Sequence, residues 1–458
     1  MKKPVVSKNP SFAHILSALS HALDLVEGQP RGHATRTAFI ALKIADELKL
    51  DDSQKKELLF SCLLKDSGCS NNSARIHKMF GGDDLITKHR VKLIDWSSTL
   101  ESVKFAFVNM ERGGTVVGKL RRMAAALGTP EATMDDLTRA RCTRGAQIAR
   151  QLGFNERVSV AIRDVDEHWD GKGAPVKLSG EEIPLYSRIV NLAQTIEVFA
   201  STFDAKGAYR MIRLRSGRWF QPELVRAART FEDDAAFWTL HAEHLAGNEV
   251  PLWPDDWIEE AAPADIDAVC GAFAAIIDAK SDFTGSHSSR VTKYAVDIGL
   301  QFGFDSQRIS ILRRAALLHD IGKLGISNAI LDKPDRLTEE EFVSVKQHPM
   351  FSFQILNRIQ GFERIAEIAS AHHEKLDGKG YWKGLSASHI DLDMRILAVA
   401  DIYDALSAER PYRAAMPLER VWQILDQEAK SAIDPECVDA VKRIGESVTL
   451  PCSIPFVA

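Results

Sequence analysis

Cysteine is sparse in this chain, long apolar runs are missing, neither charge sign is in large excess, and strand-like alternation is scarce. Each shortage closes off a class of protein. The six cysteines (Cys62, Cys69, Cys142, Cys270, Cys437 and Cys452) include no C-x-x-C pair, which argues against a disulfide frame or a zinc knuckle and for reduced thiols. Nowhere do about 18 apolar residues run together, the length a membrane span requires. Residues 1–10 are short and basic and lack the apolar segment of an export signal, so the expected compartment is the cytoplasm, with no membrane association. Net charge is −5, from 58 basic and 63 acidic residues. No global attraction to nucleic acid follows from it, and any anion must be held by a local cluster.

What remains is an ordinary globular composition, 45% hydrophobic and 26% charged, in 458 residues. That length predicts two or three domains. Apolar residues recur at helical spacing, as in His287, Val291, Tyr294, Ala295 and Ile298, so the expected fold class is all-α.

Against this background the C-terminal half holds seven metal-ligand side chains: His287, His319, Asp320, His348, His372, His373 and Asp401. Such a set of imidazoles and carboxylates suits two first-row metal ions and points to hydrolysis. Successive helical side chains diverge by about 100°, so His319 and Asp320 can approach one metal centre from different directions, and an aspartate can bridge two ions. Lys323 lies near the same face, where its ammonium can meet a substrate phosphate. His348 precedes Pro349, which predicts a helix start there. Asp401 follows an almost wholly apolar segment, Ile396 to Ala400, and a charge in that position must be paired, by metal or by an arginine such as Arg395 or Arg410.

The chain also reads as a tandem repeat, because five stretches recur in order. Gly32-His33-Ala34-Thr35-Arg36 matches Ser286-His287-Ser288-Ser289-Arg290, and Leu64-Lys65-Asp66-Ser67-Gly68 matches Leu318-His319-Asp320-Ile321-Gly322. Asp170-Gly171-Lys172-Gly173 matches Asp377-Gly378-Lys379-Gly380, Arg188-Ile189-Val190 matches Arg395-Ile396-Leu397, and Gln221-Pro222-Glu223 matches Asp434-Pro435-Glu436. The expected division is a first domain over 1–245 with an insertion at about 71–138, a packed connector over 246–262 containing Trp253 and Trp257, and a second domain over 263–458. The first repeat keeps His33 and Asp66 but has Lys65 for the histidine, Arg141 near the His348 counterpart, and Val165, Asp166 and Gln194 for His372, His373 and Asp401. A two-metal site cannot be assembled from these, and a metal-free ion-pair cluster is expected, with a regulatory pocket for a nucleotide or other anion as the alternative. Residues 113–119 have the G-x-x-x-x-G-K spacing, but Leu120 stands where magnesium needs a hydroxyl, so a turn before a basic helix is expected rather than a nucleotide loop.

From Lys280 to about Glu446 the chain resembles the HD-GYP subgroup of HD-domain phosphohydrolases. The resemblance is carried by Thr284-Gly285-Ser286-His287, His319-Asp320-Ile321-Gly322-Lys323, His348-Pro349, His372-His373-Glu374 and Arg410-Pro411-Tyr412-Arg413. It implies two tandem HD-type helical domains, the first degenerate, and a site of two or three divalent transition metals, commonly iron or manganese. The implied activity is hydrolysis of cyclic di-GMP to pGpG or GMP. The seven residues above would be the ligands, Asp320 and Lys323 the catalytic pair, and Lys323, Arg410, Arg413 and Tyr412 the substrate contacts. Two departures bear on this. The loop Asp377-Gly378-Lys379-Gly380-Tyr381-Trp382 has Trp382 where the family's name-giving triplet has proline, which removes a fixed φ and bears on base preference and on docking of a partner such as a diguanylate cyclase. Phe283 stands where members with a third metal carry glutamate, so two metals are expected. The alternatives are hydrolysis of 3′,3′-cyclic GMP-AMP, or a non-catalytic sensor that binds the dinucleotide without turnover. The first repeat is expected to regulate the second or to build a homodimer.

Overall fold

The computed structural model describes residues 10–96, 98, 101, 104–105, 108–109, 134–247, 257, 261–281, 285–409 and 415–449. The segment at 113–119, Trp253, Phe283, Thr284, Arg410, Tyr412 and Arg413 lie outside the described residues. Among those described, regular structure is helical throughout, and the only β pairing is two isolated bridges, Ser216 with Phe220 and Asp377 with Ser386. The all-α expectation is met.

Packing divides the chain into two compact units, one within Met1–Ala272, Ala279–Ser281 and Leu324–Arg336, the other within Phe273–Asp278, Asp282–Lys323 and Leu337–Ala458. In the first unit the frame is α1 (Phe12–Val26), α2 (His33–Glu47), α3 (Asp52–Leu64), α4 (Asp84–Val91), α5 (Met134–Gln151), α6 (Glu156–Arg163), α7 (Leu185–Thr202) and α8 (Ala205–Arg215). Side chains of α2 and α7 meet along Ala38, Ile40, Ala41, Ile44, Ile189, Leu192, Ala193 and Ile196, all essentially inaccessible to water. Each large apolar side chain so buried stabilises by about 1.5–3 kcal/mol. Helix starts follow the capping chemistry of the sequence: the Asp51 carboxylate accepts from Gln54 N at 2.9 Å while the Gln54 amide oxygen accepts from Asp51 N at 3.0 Å.

The second unit repeats the plan with α9 (His287–Gln301), α10 (Ser306–Leu318), α11 (His348–Leu356), α12 (Glu363–Ser370), α13 (Leu392–Ser407) and α14 (Pro435–Thr449). Pro349 does open α11, at a position where its missing N–H would have no partner in any case. The α9–α10–α13 core is built from Val291, Ala295, Ile298, Leu312, Ala316, Ile396, Leu397 and Val399.

The two units share buried anchoring devices that ligand residue types alone do not reveal. Each repeat's first histidine follows a residue in the left-handed region, Gly32 at φ 85° and Ser286 at φ 61°. A buried aspartate fixes each turn: Asp24 accepts from Gly32 N and Ala34 N, and Asp278 from Ser288 N. Gly68 and Gly322 are required by close approach, since a Cβ on either would overlap a backbone carbonyl, of Arg141 in the first unit and of His348 in the second. Arg141 and His348 therefore hold equivalent places.

Candidate metal centre

The seven expected ligands come from the starts of α9 and α11, the turns after α10 and α12, and α13; they converge in the second unit, six of them buried and His373 half-buried. His319 follows the last turn of α10, and its Nδ1 donates to the Ala316 carbonyl at 2.8 Å. His348 Nδ1 donates in the same way to Val345 O at 2.7 Å, and His372 Nδ1 to Ala369 O at 2.6 Å. A carbonyl can only accept, so each Nδ1 carries the proton and each Nε2 presents a lone pair. The fourth ring, His287, is held by a carboxylate instead: its Nδ1 donates to Asp404 Oδ2 at 2.7 Å. Outer hydrogen bonds of this kind orient metal-binding histidines.

The lone pairs meet. His348 Nε2 and His372 Nε2 lie 3.2 Å apart, an unfavourable meeting of two acceptors unless a cation or proton separates them. Among the described residues four groups have donor atoms within 4.8 Å of one another, three of them here, His348, His372 and His373; His287, His319 and Asp401; and His319, Asp320 and His372; the fourth, Glu27, Asp66 and Cys69, lies in the first unit. Asp320 faces both sides. Its Oδ1 is 3.4 Å from His348 Nε2 and 3.7 Å from His372 Nε2, while its Oδ2 is 3.6 Å from His287 Nε2 and 3.4 Å from His319 Nε2. His319 Nε2 and Asp320 Oδ1 are buried without a hydrogen-bond partner, and an orphaned buried donor set is costly unless something binds it. These mixed nitrogen and oxygen donors fit two divalent transition ions with Asp320 shared between them.

Electrostatics supports the same reading. Burial would raise the Asp320 carboxyl, but the Lys323 ammonium and the surrounding histidines together hold it well below the usual carboxylate range. Burial likewise pushes His348 down to about 3 and His372 to about 4, leaving both neutral and available to a metal. His287 goes the other way: burial, its largest single influence, would lower it, yet Asp401 and Asp404 raise it to about 9. Lys323, a quarter exposed at its side chain, donates to Asp320 Oδ2 at 2.5 Å.

The motif loop is held by Glu374, whose carboxylate accepts from Lys383 N at 2.7 Å, Gly384 N at 3.2 Å and Leu385 N at 2.8 Å. Gly380 sits against the backbone of Glu374 and Lys375, where no Cβ would fit. Lys379 N donates to Asp377 Oδ1, and Gly378 takes φ 75° to turn the chain. Tyr381 packs on the His373 ring, 4.7 Å between centroids, so this residue touches the cluster. Trp382 packs on Phe353 at 5.1 Å with the Lys383 ammonium 4.4 Å over its ring, a contact internal to its own unit. The ligand types did not disclose Asp404 and its partner Arg290, whose Nε donates to Asp404 Oδ1 at 2.6 Å. A signal existed, since Asp404 lies one turn beyond Asp401 on α13 and shares its face.

The counterpart cluster in the first unit is filled by cations. His33 Nδ1 bonds Glu197, and Arg36 Nε donates to the same carboxylate at 2.7 Å, a copy of the His287–Asp404–Arg290 clamp. Beyond that, Lys65 Nζ lies 2.9 Å from His33 Nε2 and pairs with Asp66, while Arg141 pairs with Asp166. These are ion pairs of the kind expected from the sequence for the first unit.

Similarity to known proteins agrees. The HD-domain family model matches residues 119–224 and 271–437. The chain is 41% identical over 434 residues to 3′3′-cGAMP-specific phosphodiesterase 3 of Vibrio cholerae serotype O1, covering 94% of both. It is 37% identical over 172 residues to the cyclic di-GMP phosphodiesterase response regulator RpfG of Xanthomonas campestris pv. campestris, covering 37% of this chain and 46% of that protein. The crystal structure of a cyclic GMP-AMP specific phosphodiesterase of V. cholerae (V-cGAP3) aligns over 96% of this chain and 98% of its own, with TM-score 0.65 and 35% identity. A buried His/Asp cluster built for metal, on an all-helical frame that these relatives share, places this chain in the HD-domain family as a metal-dependent cyclic-dinucleotide phosphodiesterase of the HD-GYP type.

Proposed function

We propose that this chain hydrolyses 3′,3′-cyclic GMP-AMP in preference to cyclic di-GMP, with His287, His319 and Asp401 holding one divalent ion, His348, His372 and His373 the other, and Asp320 both. The observation that carries the substrate is end-to-end likeness to a cGAMP-specific phosphodiesterase, first unit included, against likeness to cyclic di-GMP enzymes over little more than a third of the chain. This reverses the order of the two substrates drawn from the motifs alone. Trp382 is consistent with it, because the loop beside Tyr381 has a shape set by an aromatic contact rather than by a proline ring.

When bound, the ions supply Lewis-acid activation of water and of the scissile phosphodiester. The protein does the rest. Backbone carbonyls 316, 345 and 369 fix three imidazole tautomers, and Asp404 fixes the fourth. Lys323 is close enough to the surface to exchange its Asp320 contact for a substrate phosphate oxygen. Arg410, Arg413 and Tyr412 are proposed to reach the dinucleotide, the arginines as planar forks. The family resemblance points to iron or manganese as these ions. Among the described residues no helix is long and apolar enough to cross a membrane, and we place the reaction in the cytoplasm.

The test is turnover of both dinucleotides by protein loaded anaerobically with iron or manganese. Faster hydrolysis of cyclic GMP-AMP, by at least about tenfold in kcat/KM, is expected, a difference of about 1.4 kcal/mol in transition-state binding. Equal or faster hydrolysis of cyclic di-GMP would overturn the substrate, and tight binding without turnover by the loaded protein would overturn hydrolysis itself.

A further inference from the structure

The first unit carries a cavity of about 100 Å³ that the reaction does not use, walled by Lys92, Trp96, Arg141, His168, Gln194 and Trp219. It lies where the second unit has its metal cluster: Arg141 stands under Gly68 as His348 stands under Gly322, and Asp166 and Gln194 align with His373 and Asp401. Divergence has replaced the ligands but has not closed the space.

One side chain lining it is left incomplete, and a second lies behind Trp219. His168 is fully buried, and neither ring nitrogen has a hydrogen-bond partner. Its ring stacks on Trp219 at 3.9 Å and 25°, and the Trp96 ring lies 4.7 Å away, tilted by 46°, so three aromatic rings form one wall. Burial pushes His168 down to about 3 and keeps it neutral, giving one N–H donor and one acceptor on the same ring. Arg215, its guanidinium 3.9 Å over the Trp219 ring, is also buried, and its Nη1 has no hydrogen-bond partner. A buried polar group without a partner costs about 1–3 kcal/mol, a cost that a ligand with a matching edge would remove.

The cavity is also lined by cations. Lys88, Lys92 and Arg141 stand in the cavity wall with Glu27 and Asp166, Lys88 also pairing with Asp84 and Lys92 with Asp66 behind it. Lys92 pairs with Glu27 at 3.0 Å, and Arg141 with Asp166, so both cations are held in place rather than free to wander. Aromatic rings, an imidazole with an unused donor and an unused acceptor, and fixed cations in one cavity are the chemistry that recognises a planar base joined to a phosphate. The structure assigns this cavity as a second, non-hydrolytic site for a purine nucleotide, by which the first unit senses the nucleotide pool. The choice of a nucleotide over other aromatic anions rests on the function proposed above; the existence of the site does not.

The test is titration calorimetry on the full chain carrying Asp320→Ala, which disables the hydrolytic cluster, with AMP, GMP and inorganic phosphate as probes. One AMP or GMP per chain is expected, at least about tenfold tighter than phosphate, the worth of a stacked base. Adding Trp96→Leu, a change at a half-buried position, should weaken the nucleotide about tenfold and leave phosphate unchanged. Adding Arg141→Met should abolish both. No heat from either nucleotide at millimolar concentration, phosphate binding as tightly as nucleotide, or nucleotide affinity indifferent to Trp96→Leu would each overturn the assignment. None of these results touches the turnover assay, so failure here is separable from failure of the proposed reaction.

Discussion

Asp404 is the most informative single residue to change, because it acts on the metal cluster only through His287. Its Oδ2 accepts from His287 Nδ1 at 2.7 Å, and its two oxygens accept from Arg290 Nε at 2.6 Å and Nη2 at 3.0 Å. Asparagine keeps the size but has one acceptor oxygen, and neither orientation serves. With the oxygen toward Arg290, the amide N–H₂ faces His287 Nδ1, which must then accept and move its proton to Nε2, the atom that faces Asp401. With the oxygen toward His287, the amide donors meet the guanidinium donors. Loss of such an outer partner lowers metal affinity about 10- to 100-fold, or about 1.4–2.8 kcal/mol. Asp404→Glu should be far milder, since the first unit already closes the same clamp with Glu197. Manganese affinity, read by competition with a chelator under anaerobic conditions, would show the difference, with thermal melts of the metal-free proteins as the check on folding. An Asp404→Asn protein that folds and binds both ions as tightly as the parent would refute the argument that tautomer control at His287 matters.

Three further outcomes are expected. Gly322→Ala forces a methyl into the His348 carbonyl, so a loss of about 1–3 kcal/mol from overpacking should accompany loss of the ion on the His348 side, measured by melting temperature and elemental analysis. Lys65→Met leaves Asp66 and His33 without their nearest cation; breaking a buried pair in this way costs about 3–5 kcal/mol, visible in urea unfolding. His33, His168 and His241 are buried neutral, pushed down mainly by burial to about 4, 3 and 4. Below pH 6.5 the unfolded chain binds protons that the folded one does not, so stability is intact above that value and falls as pH drops toward 4. At pH 5 each contributes a loss of up to about 2 kcal/mol, and an unfolding midpoint unchanged between pH 7 and 5 would contradict it.

Much of the second unit was legible because its chemistry is written in residue types with few other uses. His319 beside Asp320, paired His372 and His373, and a charge ending an apolar helix at Asp401 all found their places in one cluster. The repeat was legible for a related reason, since glycines at positions of close approach tolerate no substitute: Gly68 with Gly322, and Gly173 with Gly380. What escaped notice depends on geometry rather than identity. No residue type announces that three imidazoles are fixed by carbonyls at 316, 345 and 369, because any residue supplies a carbonyl. Trp382 looked like a loop modifier, and only its contact with Phe353 shows where its surface goes. The packing of 324–336 with the first unit also has no signature in residue type.

The anchors, more than the ligands, explain how one frame supports two chemistries. Asp24 and Asp278 fix the turn before the first histidine, Glu197 and Asp404 hold that histidine with an arginine, and Glu167 and Glu374 hold the glycine-rich loop through backbone N–H groups. None of these needs a metal to be satisfied. The frame can therefore persist after the ligands are lost, provided the charge left behind is balanced. In the first unit Asp66 faces Lys65 at the place where Asp320 faces imidazoles, and Arg141 faces Asp166 where His348 has His373. Ammonium and guanidinium groups built into the chain stand in for the positive charge that bound ions would bring. A unit that keeps the cavity, the anchors and the positive charge keeps the features on which the proposed nucleotide site rests.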